Sequence, residues 1–235
     1  RRIRGSRDSA AFPGNGARVM PYTTALTGSW PYLGKFTQMA KHRGGVLVIG
    51  GVHGNEPASV AAILSHGVFP SYCTVVPLAN PLGLASSIHR YYDNDTYFAQ
   101  YAYLCALVDY ARPKLIVNLH EDDEAFEHRG FYVYTYGEVV NLANIAIQAV
   151  ANVGLRIANE DSTWEVEQIF QGIILASDDS PFDPSVEDFA QYTYGIEGIV
   201  VETPSNVWPV RARVRALRAV LDVIPQMWSA VGGKV

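Results

Sequence analysis

The stretch "GGVLVIGGVHGNEPASVAAIL", which runs from Gly44 to Leu64, carries the strongest indication of the fold. It starts with a β-branched apolar run bounded by glycines, which predicts a strand at 44–51. It continues into a segment with helical character, which predicts a helix at 56–68. Between them lie His53 and Glu56, at the carboxyl end of the strand and the start of the helix. A strand that leads directly into a helix is the first half of a βαβ unit.

The rest of the chain repeats this alternation of strands and helices. Further β-branched runs bounded by turn residues predict strands at 73–80, 114–121, 130–137 and 198–204. Longer segments predict helices at 96–111, 138–154 and 206–231. In the last of these, the apolar residues fall on one face and the arginines fall on another, at positions Arg211, Arg215 and Arg218. The pattern predicts an α/β fold with a mostly parallel, buried sheet.

The composition is that of a globular protein, and it limits the classes of function. Hydrophobic residues make up 49% of the 235 residues and charged residues 17%, which is enough apolar material for a sizeable core. The net charge of -5 provides no overall attraction to phosphates, so a nucleic acid is not an expected partner. Four arginines among the first seven residues predict an N-terminal tail or an artificial remnant at 1–20. Residues 21–235 are predicted to form a single domain.

Cysteine content and hydropathy bear on which kinds of site and which cellular compartment to expect. Cys73 and Cys105 are the only cysteines, too few for a disulfide framework or for a zinc site made of thiolates. No apolar run reaches about 18 residues, so we expect no membrane span. No secretory signal is visible, which favours the cytoplasm, with the removal of a signal peptide as the alternative. The sequence does not indicate an oligomeric state.

Candidate functional residues gather at the predicted strand ends, where open α/β sheets bind their ligands. His53 and Glu56 follow the first predicted strand, His120 ends the third, and Glu202 lies in the fifth. Two neutral imidazoles and one carboxylate are a common catalytic zinc set. A carboxylate that is not a ligand could take a proton from the water that the zinc activates, and Glu202 is the candidate. We therefore expect one zinc ion per chain.

Each motif also has a structural explanation when it is taken alone. A His-x-x-Glu pattern arises by chance in many chains, and a glutamate at a helix start is favourable for the helix dipole. The segment "NLHEDDEAFEH" (118–128) could be a solvated acidic loop, and "ETP" (202–204) could be a strand terminus. The cluster favours a functional site because three strands place His or Glu at the same edge of the sheet.

Four motifs at the strand ends are, in order, "GGVHGNEPAS" (50–59), "LANPLG" (78–83), "NLHEDD" (118–123) and "VVETPS" (200–205). They resemble the zinc carboxypeptidases of the carboxypeptidase A type, including the branch of succinylglutamate desuccinylases and aspartoacylases. The resemblance implies a three-layer α/β/α fold with a mixed, mostly parallel sheet of about eight strands. It also implies zinc bound by His53, Glu56 and His120. Glu202 would be the general base and then the general acid, and Arg90 would polarise the scissile carbonyl and stabilise the oxyanion.

The segment "HRYYDNDTYF" (89–98) departs from that family. The family carries an Asn-Arg pair here that grips the terminal carboxylate of the substrate, whereas this chain has Thr96 in that region. A threonine cannot replace the bidentate contact of an arginine with a carboxylate. Recognition of a terminal carboxylate would then depend on another cation, such as His89, His128 or Arg129.

Further candidates follow from their positions. Asn80 and Arg90 come after the second predicted strand and could bind the substrate. Tyr194 lies in the region from which carboxypeptidases bring a phenol over the substrate, and an aromatic residue at a strand edge is the alternative. Glu121 and Asp122 could orient a zinc-bound imidazole.

Together these features predict a zinc-dependent hydrolase that cleaves an amide bond. The first expectation is a metallocarboxypeptidase that acts on peptides. An N-deacylase that acts on N-acyl amino acids is the first alternative, because it would use the same site. A non-catalytic relative that keeps the metal is the second alternative, favoured by the missing Asn-Arg pair.

Overall fold

A computed structural model describes residues 38, 40, 43–86, 95–122, 130–137, 139–158, 171–175 and 185–234, with the backbone alone for residues 95–100. The N-terminal tail predicted at 1–20 lies outside these ranges. So do the predicted substrate-contacting or anchoring cations Arg90, His89, His128 and Arg129. The single domain predicted for residues 21–235 stays a prediction.

Six strands form one mixed sheet. They are β1 (Val46–Gly50), β2 (Cys73–Val76), β3 (Leu115–Asp122), β4 (Tyr132–Tyr136), β5 (Ile173–Leu175) and β6 (Glu197–Pro204). Their order across the sheet is β2-β1-β3-β6-β4-β5. Neighbouring strands are parallel except for β4 and β6, which are antiparallel. The α/β class and the mixed, mostly parallel sheet are confirmed.

One strand was not predicted. The strand β5 spans only three residues, "IIL", and periodicity cannot identify so short an apolar run as a strand. The described residues contain six strands, compared with the number of about eight that the family resemblance implies.

Seven helices lie in the described ranges. They are α1 (Pro57–His66), α2 (Pro81–Ser86), α3 (Asp95–Ala111), α4 (Val140–Asn152), α5 (Val186–Tyr194), α6 (Val210–Asp222) and α7 (Ile224–Ala230). Three of the predicted helices are present as α1, α3 and α4, whereas α2 and α5 were not predicted. None of the helices in the described part of the chain is long and apolar enough to span a membrane.

The helix predicted at 206–231 is two helices in the structure. Pro209 has an extended backbone and immediately precedes α6. Pro225 lies in the first turn of α7, where its missing N–H leaves no helical hydrogen bond unmade. Inside a continuous helix the same proline would remove such a bond, so the chain breaks at Val223. The three arginines of the predicted polar face are exposed, at Arg211, Arg215 and Arg218.

Hydrophobic clusters lie on both faces of the sheet, because successive side chains of a strand point to opposite faces. Val46 and Val48 of β1 belong to one cluster, together with residues of α1, α4, α6 and α7. Leu47 and Ile49 belong to a second cluster, together with residues of α3 and α5. Burial on both sides explains why β1 is continuously apolar rather than alternating.

The register of the sheet determines which residues meet at its carboxyl edge. β1, β3 and β6 lie side by side and run parallel. Gly50, the last residue of β1, pairs with Leu119, and His120 pairs with Glu202. The turn after β1 therefore lies beside the ends of β3 and β6.

Candidate metal centre

The turn after β1 carries two of the candidate ligands, His53 and Glu56. Gly51 has a φ of 62°, and a Cβ at this position would lie 2.7 Å from a methyl group of Val60, so only glycine fits. The N–H of Gly51 donates to Ser59 Oγ at 2.9 Å, and that hydroxyl donates to the carbonyl of Glu56 at 2.8 Å. These bonds fix the turn against the first turn of α1.

The side chain of Glu56 is fully buried immediately before α1. Its Oε2 accepts the backbone N–H of His53 at 2.9 Å, and its Oε1 accepts the backbone N–H of Glu121 at 3.4 Å. A buried carboxylate is tolerated only when its oxygens have partners. The backbone of two separate segments therefore holds this carboxylate in place.

Three potential ligand atoms converge at this carboxylate. Glu56 Oε1 lies 2.8 Å from Nδ1 of His53 and 2.9 Å from Nδ1 of His120. The two imidazole rings have centroids 4.8 Å apart and planes inclined at 71°. All three ligand atoms lie within 4.8 Å of one another, and within the described ranges no other group of His, Cys, Asp and Glu is arranged to hold a metal.

Burial and mutual attraction determine the charges of the cluster. Burial alone would raise the pKa of Glu56, but the two histidines hold it well below its usual range. Burial alone would lower the pKa of His120, but attraction to Glu56, and to Glu202 and Glu187, raises it to about 9. Because a metal ligand must be a neutral imidazole, a bound cation would take the place of the proton on His120.

The donor set fits a zinc-like ion. Two imidazole nitrogens and one carboxylate oxygen are a known three-ligand set for zinc, with a fourth position open. Two ligands at about 2.0–2.2 Å from a tetrahedral ion lie about 3.3–3.5 Å apart. Glu56 Oε1 is 2.8 and 2.9 Å from the two Nδ1 atoms, so each of these two pairs would separate by about half an ångström to admit the ion. All three ligand atoms lie within 4.8 Å of one another, so adjustments of the side chains bring them to one ion.

Glu202 lies beside the three potential ligands. The parallel register of β3 and β6 places it next to His120, and its Oε1 is 3.9 Å from His120 Nδ1. Its side chain is 11% exposed, compared with 0% for Glu56. The structure thus brings together His53, Glu56, His120 and Glu202, four residues that the sequence separates by up to 149 positions.

Strand β4 adds a phenol to the same face of the sheet. Tyr132 pairs with Glu202 in the antiparallel register, and its hydroxyl donates to Asp122 Oδ2 at 2.5 Å. Burial raises the pKa of Tyr132 well above its usual range, and the carboxylates of Glu202 and Asp122 add to this effect. Tyr132 is therefore a neutral hydroxyl. Asp122, considered from the sequence as a partner for an imidazole, accepts a hydrogen bond from this phenol.

Glu187 of α5 is a second carboxylate buried behind the cluster, and the sequence analysis did not identify it. Its Oε1 accepts a hydrogen bond from Asn118 Nδ2 at 2.8 Å, two residues before His120 on β3. Burial raises the pKa of Glu187, and attraction to His120 opposes this only in part. The missed signal was the capping box of Ser185 and Asp188, which begins α5.

Two predicted substrate-binding residues have other contacts. Asn80 is buried, and its Oδ1 accepts the N–H of Gly83 at 2.8 Å in the first turn of α2. Tyr194 is the last residue of α5, not a strand-edge aromatic, and donates to Asp109 Oδ1 at 2.7 Å. It lies just before the amino end of β6, whereas Glu202 is about 16 Å farther along that strand at about 3.3 Å per residue. The structure therefore does not bring Tyr194 to the cluster.

The carboxylate of Glu121, considered from the sequence as a partner for an imidazole, does not lie beside the imidazole of His120. Successive residues of β3 point to opposite faces, so Glu121 and His120 point away from each other. The carboxylate of Glu121 accepts the backbone N–H groups of Ala58 and Ser59 at 2.5 and 3.1 Å.

Comparisons with known proteins identify solved structures that share this fold. No protein-family model and no curated protein matches the sequence. A candidate metallopeptidase of known structure from Shewanella amazonensis is similar at a TM-score of 0.65 and 21% identity, over 81% of this chain and 79% of that one. A candidate metallopeptidase from Shewanella denitrificans gives a TM-score of 0.63 and 19% identity, over 82% and 77% of the two chains.

A more distant similarity reaches a protein whose activity is named. The Helicobacter pylori protein Csd4, a D,L-carboxypeptidase in its mDAP-bound form, gives a TM-score of 0.51 and 13% identity. The similarity covers 78% of this chain and 51% of that one. The resemblance to zinc carboxypeptidases is thereby confirmed at the level of the fold, which this chain shares with candidate metallopeptidases and with a D,L-carboxypeptidase.

We predict that His120→Ala weakens zinc binding by orders of magnitude, because two protein ligands hold zinc poorly. The matched control is His66→Ala, since His66 stacks on Phe69 at the far end of α1 and is not part of the cluster. Affinity is measured by competition with a chromogenic chelator. Full zinc occupancy of the His53→Ala/His120→Ala double variant would show that the metal binds elsewhere.

We predict that Glu187→Gln raises the free energy of unfolding at neutral pH. Burial raises the pKa of Glu187 in the folded state above its ordinary value, so folding favours the protonated form. Wild-type stability should therefore fall as the pH rises from below 4.5 through the raised pKa. The glutamine keeps an acceptor for Asn118 without the charge.

Urea unfolding of both proteins at pH 4 and pH 7 measures this difference. The gain from Glu187→Gln should appear at pH 7 and shrink at pH 4, where the wild-type carboxyl is protonated. An equal or larger gain at pH 4 would mean that packing, rather than buried charge, causes the effect.

Proposed function

We propose that this protein is a metal-dependent hydrolase that cleaves an amide bond, with zinc as the metal and peptides as the substrates, that is, a metallocarboxypeptidase. One observation carries the proposal. His53, Glu56 and His120 converge on one point, with Glu202 beside them, at the carboxyl edge of a sheet whose fold is that of metallopeptidases. The proposal includes the three-layer arrangement with about eight strands, and a single domain over residues 21–235.

The metal would be held by His53, Glu56 and His120. A divalent cation there supplies Lewis-acid chemistry, since it polarises a carbonyl and lowers the pKa of water. The protein contributes rigidity, because two backbone N–H groups hold the carboxylate of Glu56. His53 is the most exposed of the three ligand side chains, at 18%, so we place the approach of substrate on its side.

Glu202 would move the proton. Its carboxylate lies outside the ligand set but within 3.9 Å of His120, close to where the substrate carbonyl would lie. A positioned carboxylate of this kind takes a proton from the attacking water and delivers it to the leaving amine. Tyr132, next to Glu202 in the sheet, keeps its proton and donates a hydrogen bond to Asp122. We assign stabilisation of the oxyanion to Arg90, following the family resemblance.

The substrate class is tested by a screen of the zinc-loaded protein. The panel contains peptides with a free terminal carboxylate, the same peptides as amides, and N-acyl amino acids. It also contains peptides that end in meso-diaminopimelate, because the structural neighbour Csd4 is a D,L-carboxypeptidase seen with mDAP. Turnover of N-acyl amino acids alone would make the protein a deacylase, and turnover of none would favour a non-catalytic metal-binding protein.

We predict that Glu202→Gln lowers kcat by about a hundredfold or more and leaves zinc in place, because the variant keeps the size of the side chain but removes the base. The matched control is Glu197→Gln, at the other end of β6, which should keep its activity. Steady-state kinetics and zinc content are measured together. Loss of zinc with turnover of the remaining holoenzyme unchanged would make Glu202 a ligand instead of a base.

We predict weak discrimination between a peptide acid and its amide, because the Asn-Arg pair that holds a terminal carboxylate is missing from 89–98. A site built around a buried arginine would lose several kcal/mol with the amide, since the cation is left unpaired. Here kcat/KM for matched pairs should differ by less than about tenfold, or about 1.4 kcal/mol. A preference for the acid above about a thousandfold would reveal another anchoring cation.

A further inference from the structure

A buried carboxylate lies behind the metal centre, on the opposite face of β3. Glu121 is 1% exposed and follows His120 directly in the strand. Its Oε1 accepts the backbone N–H groups of Ala58 and Ser59 at 2.5 and 3.1 Å. Its Oε2 is paired with the guanidinium of Arg213. One carboxylate thus joins β3 to the first turn of α1 and to α6.

Each of these partners compensates the burial of the charge. The first N–H groups of a helix have no partner inside the helix, and they attract a negative charge. Arg213, 7% exposed, supplies a full positive charge and is itself buried by packing of α6 against α1. Removing one member of such a buried pair leaves the other uncompensated, so a movement that separates Glu121 from Arg213 or from α1 is costly.

This carboxylate is connected to two of the candidate ligands. His120 is the preceding residue of β3, and the backbone N–H of Glu121 donates to Glu56 Oε1 at 3.4 Å. Glu56 is also only two residues before Ala58, whose N–H the carboxylate accepts. A shift of α1 relative to β3 would change the distance from Glu56 Oε1 to His120 Nδ1, which is 2.9 Å.

We propose that Glu121, held by Arg213, is a positioning residue that fixes Glu56 and His120 at the separation needed to bind a metal ion. The inference rests on the proposed function, since it assumes that these residues are metal ligands. It adds that the affinity of the site depends on a contact made on the other face of the sheet. Neither Glu121 nor Arg213 touches the ion or the substrate.

Two single variants test the inference, Glu121→Gln and Arg213→Met. Outer-shell partners of metal ligands typically contribute about 10- to 100-fold to metal affinity, and we expect a loss of that size in each variant. Affinity for zinc is measured by chelator competition, and the visible absorption spectrum of the cobalt-loaded protein reports the ligand geometry. We expect the cobalt spectrum to change in both variants, and Arg213→Lys to bind zinc more tightly than Arg213→Met.

The control separates positioning from general stability. Val150→Ala removes buried volume from α4, away from the metal centre, and should lower the thermal midpoint without changing zinc affinity or the cobalt spectrum. All measurements are made well below the thermal midpoint of each variant, where every protein is folded. If Arg213→Met does not fold, Glu121→Gln decides the question, because it keeps the volume and an acceptor for the helix N–H groups.

The inference is overturned if folded Glu121→Gln binds zinc within about threefold of the wild type with an unchanged cobalt spectrum, since outer-shell contributions are about tenfold or more. It is also overturned if Val150→Ala loses as much affinity as Glu121→Gln. A wild-type protein that binds no zinc would contradict both this inference and the proposed function. A wild-type protein that binds zinc but hydrolyses no substrate of the panel would contradict the proposed function alone.

Discussion

The parallel register of β1, β3 and β6 is the constraint on which the rest of the site depends. Because the three strands point the same way and lie side by side, the turn after β1 meets the ends of β3 and β6. A shift of one residue along β3 would turn His120 to the opposite face of the sheet. The hydrophobic clusters on both faces resist such a shift, since it would also move the polar side chains of Asn118 and His120 into the apolar cluster that now packs on Val117 and Leu119.

Of the four carboxylates buried near this edge, three besides Glu202 are compensated in different ways. Glu56 lies between two histidines, which hold its pKa low. Glu121 accepts helix N–H groups and pairs with an arginine. Glu187 accepts a hydrogen bond from the neutral amide of Asn118, and burial raises its pKa, which attraction to His120 opposes only in part. The carboxylate of Glu56 keeps a negative charge that a cation can bind, whereas the carboxylate of Glu121 holds α1 and α6 against β3.

The fold and the site support different parts of the functional conclusion. Structures with 21% identity or less establish a shared fold, and the same fold can support different reactions. The chemistry is argued instead from donor atoms that converge within 4.8 Å and from a separate carboxylate 3.9 Å from one of them. Substrate recognition is the property most able to differ from that of zinc carboxypeptidases, because their Asn-Arg pair is absent from 89–98.

The apolar runs were enough to predict the α/β class and the positions of most strands, since a buried parallel strand needs a continuous apolar run and few other segments provide one. The sequence also singled out His53, Glu56, His120 and Glu202, because polar side chains at strand ends are visible in the pattern. It did not predict β5 or α5, which are too short for periodicity to detect.

Only the tertiary structure decided which polar residues lie together. Tyr194 and Asn80 looked suitable in the sequence but have other contacts, while Glu187 and Arg213 were not singled out from the sequence and are buried. A charged side chain can be buried wherever a segment that is distant in the sequence supplies an ion-pair or hydrogen-bond partner. The partner of Glu121 is 92 positions away, and no local pattern encodes a contact at that separation.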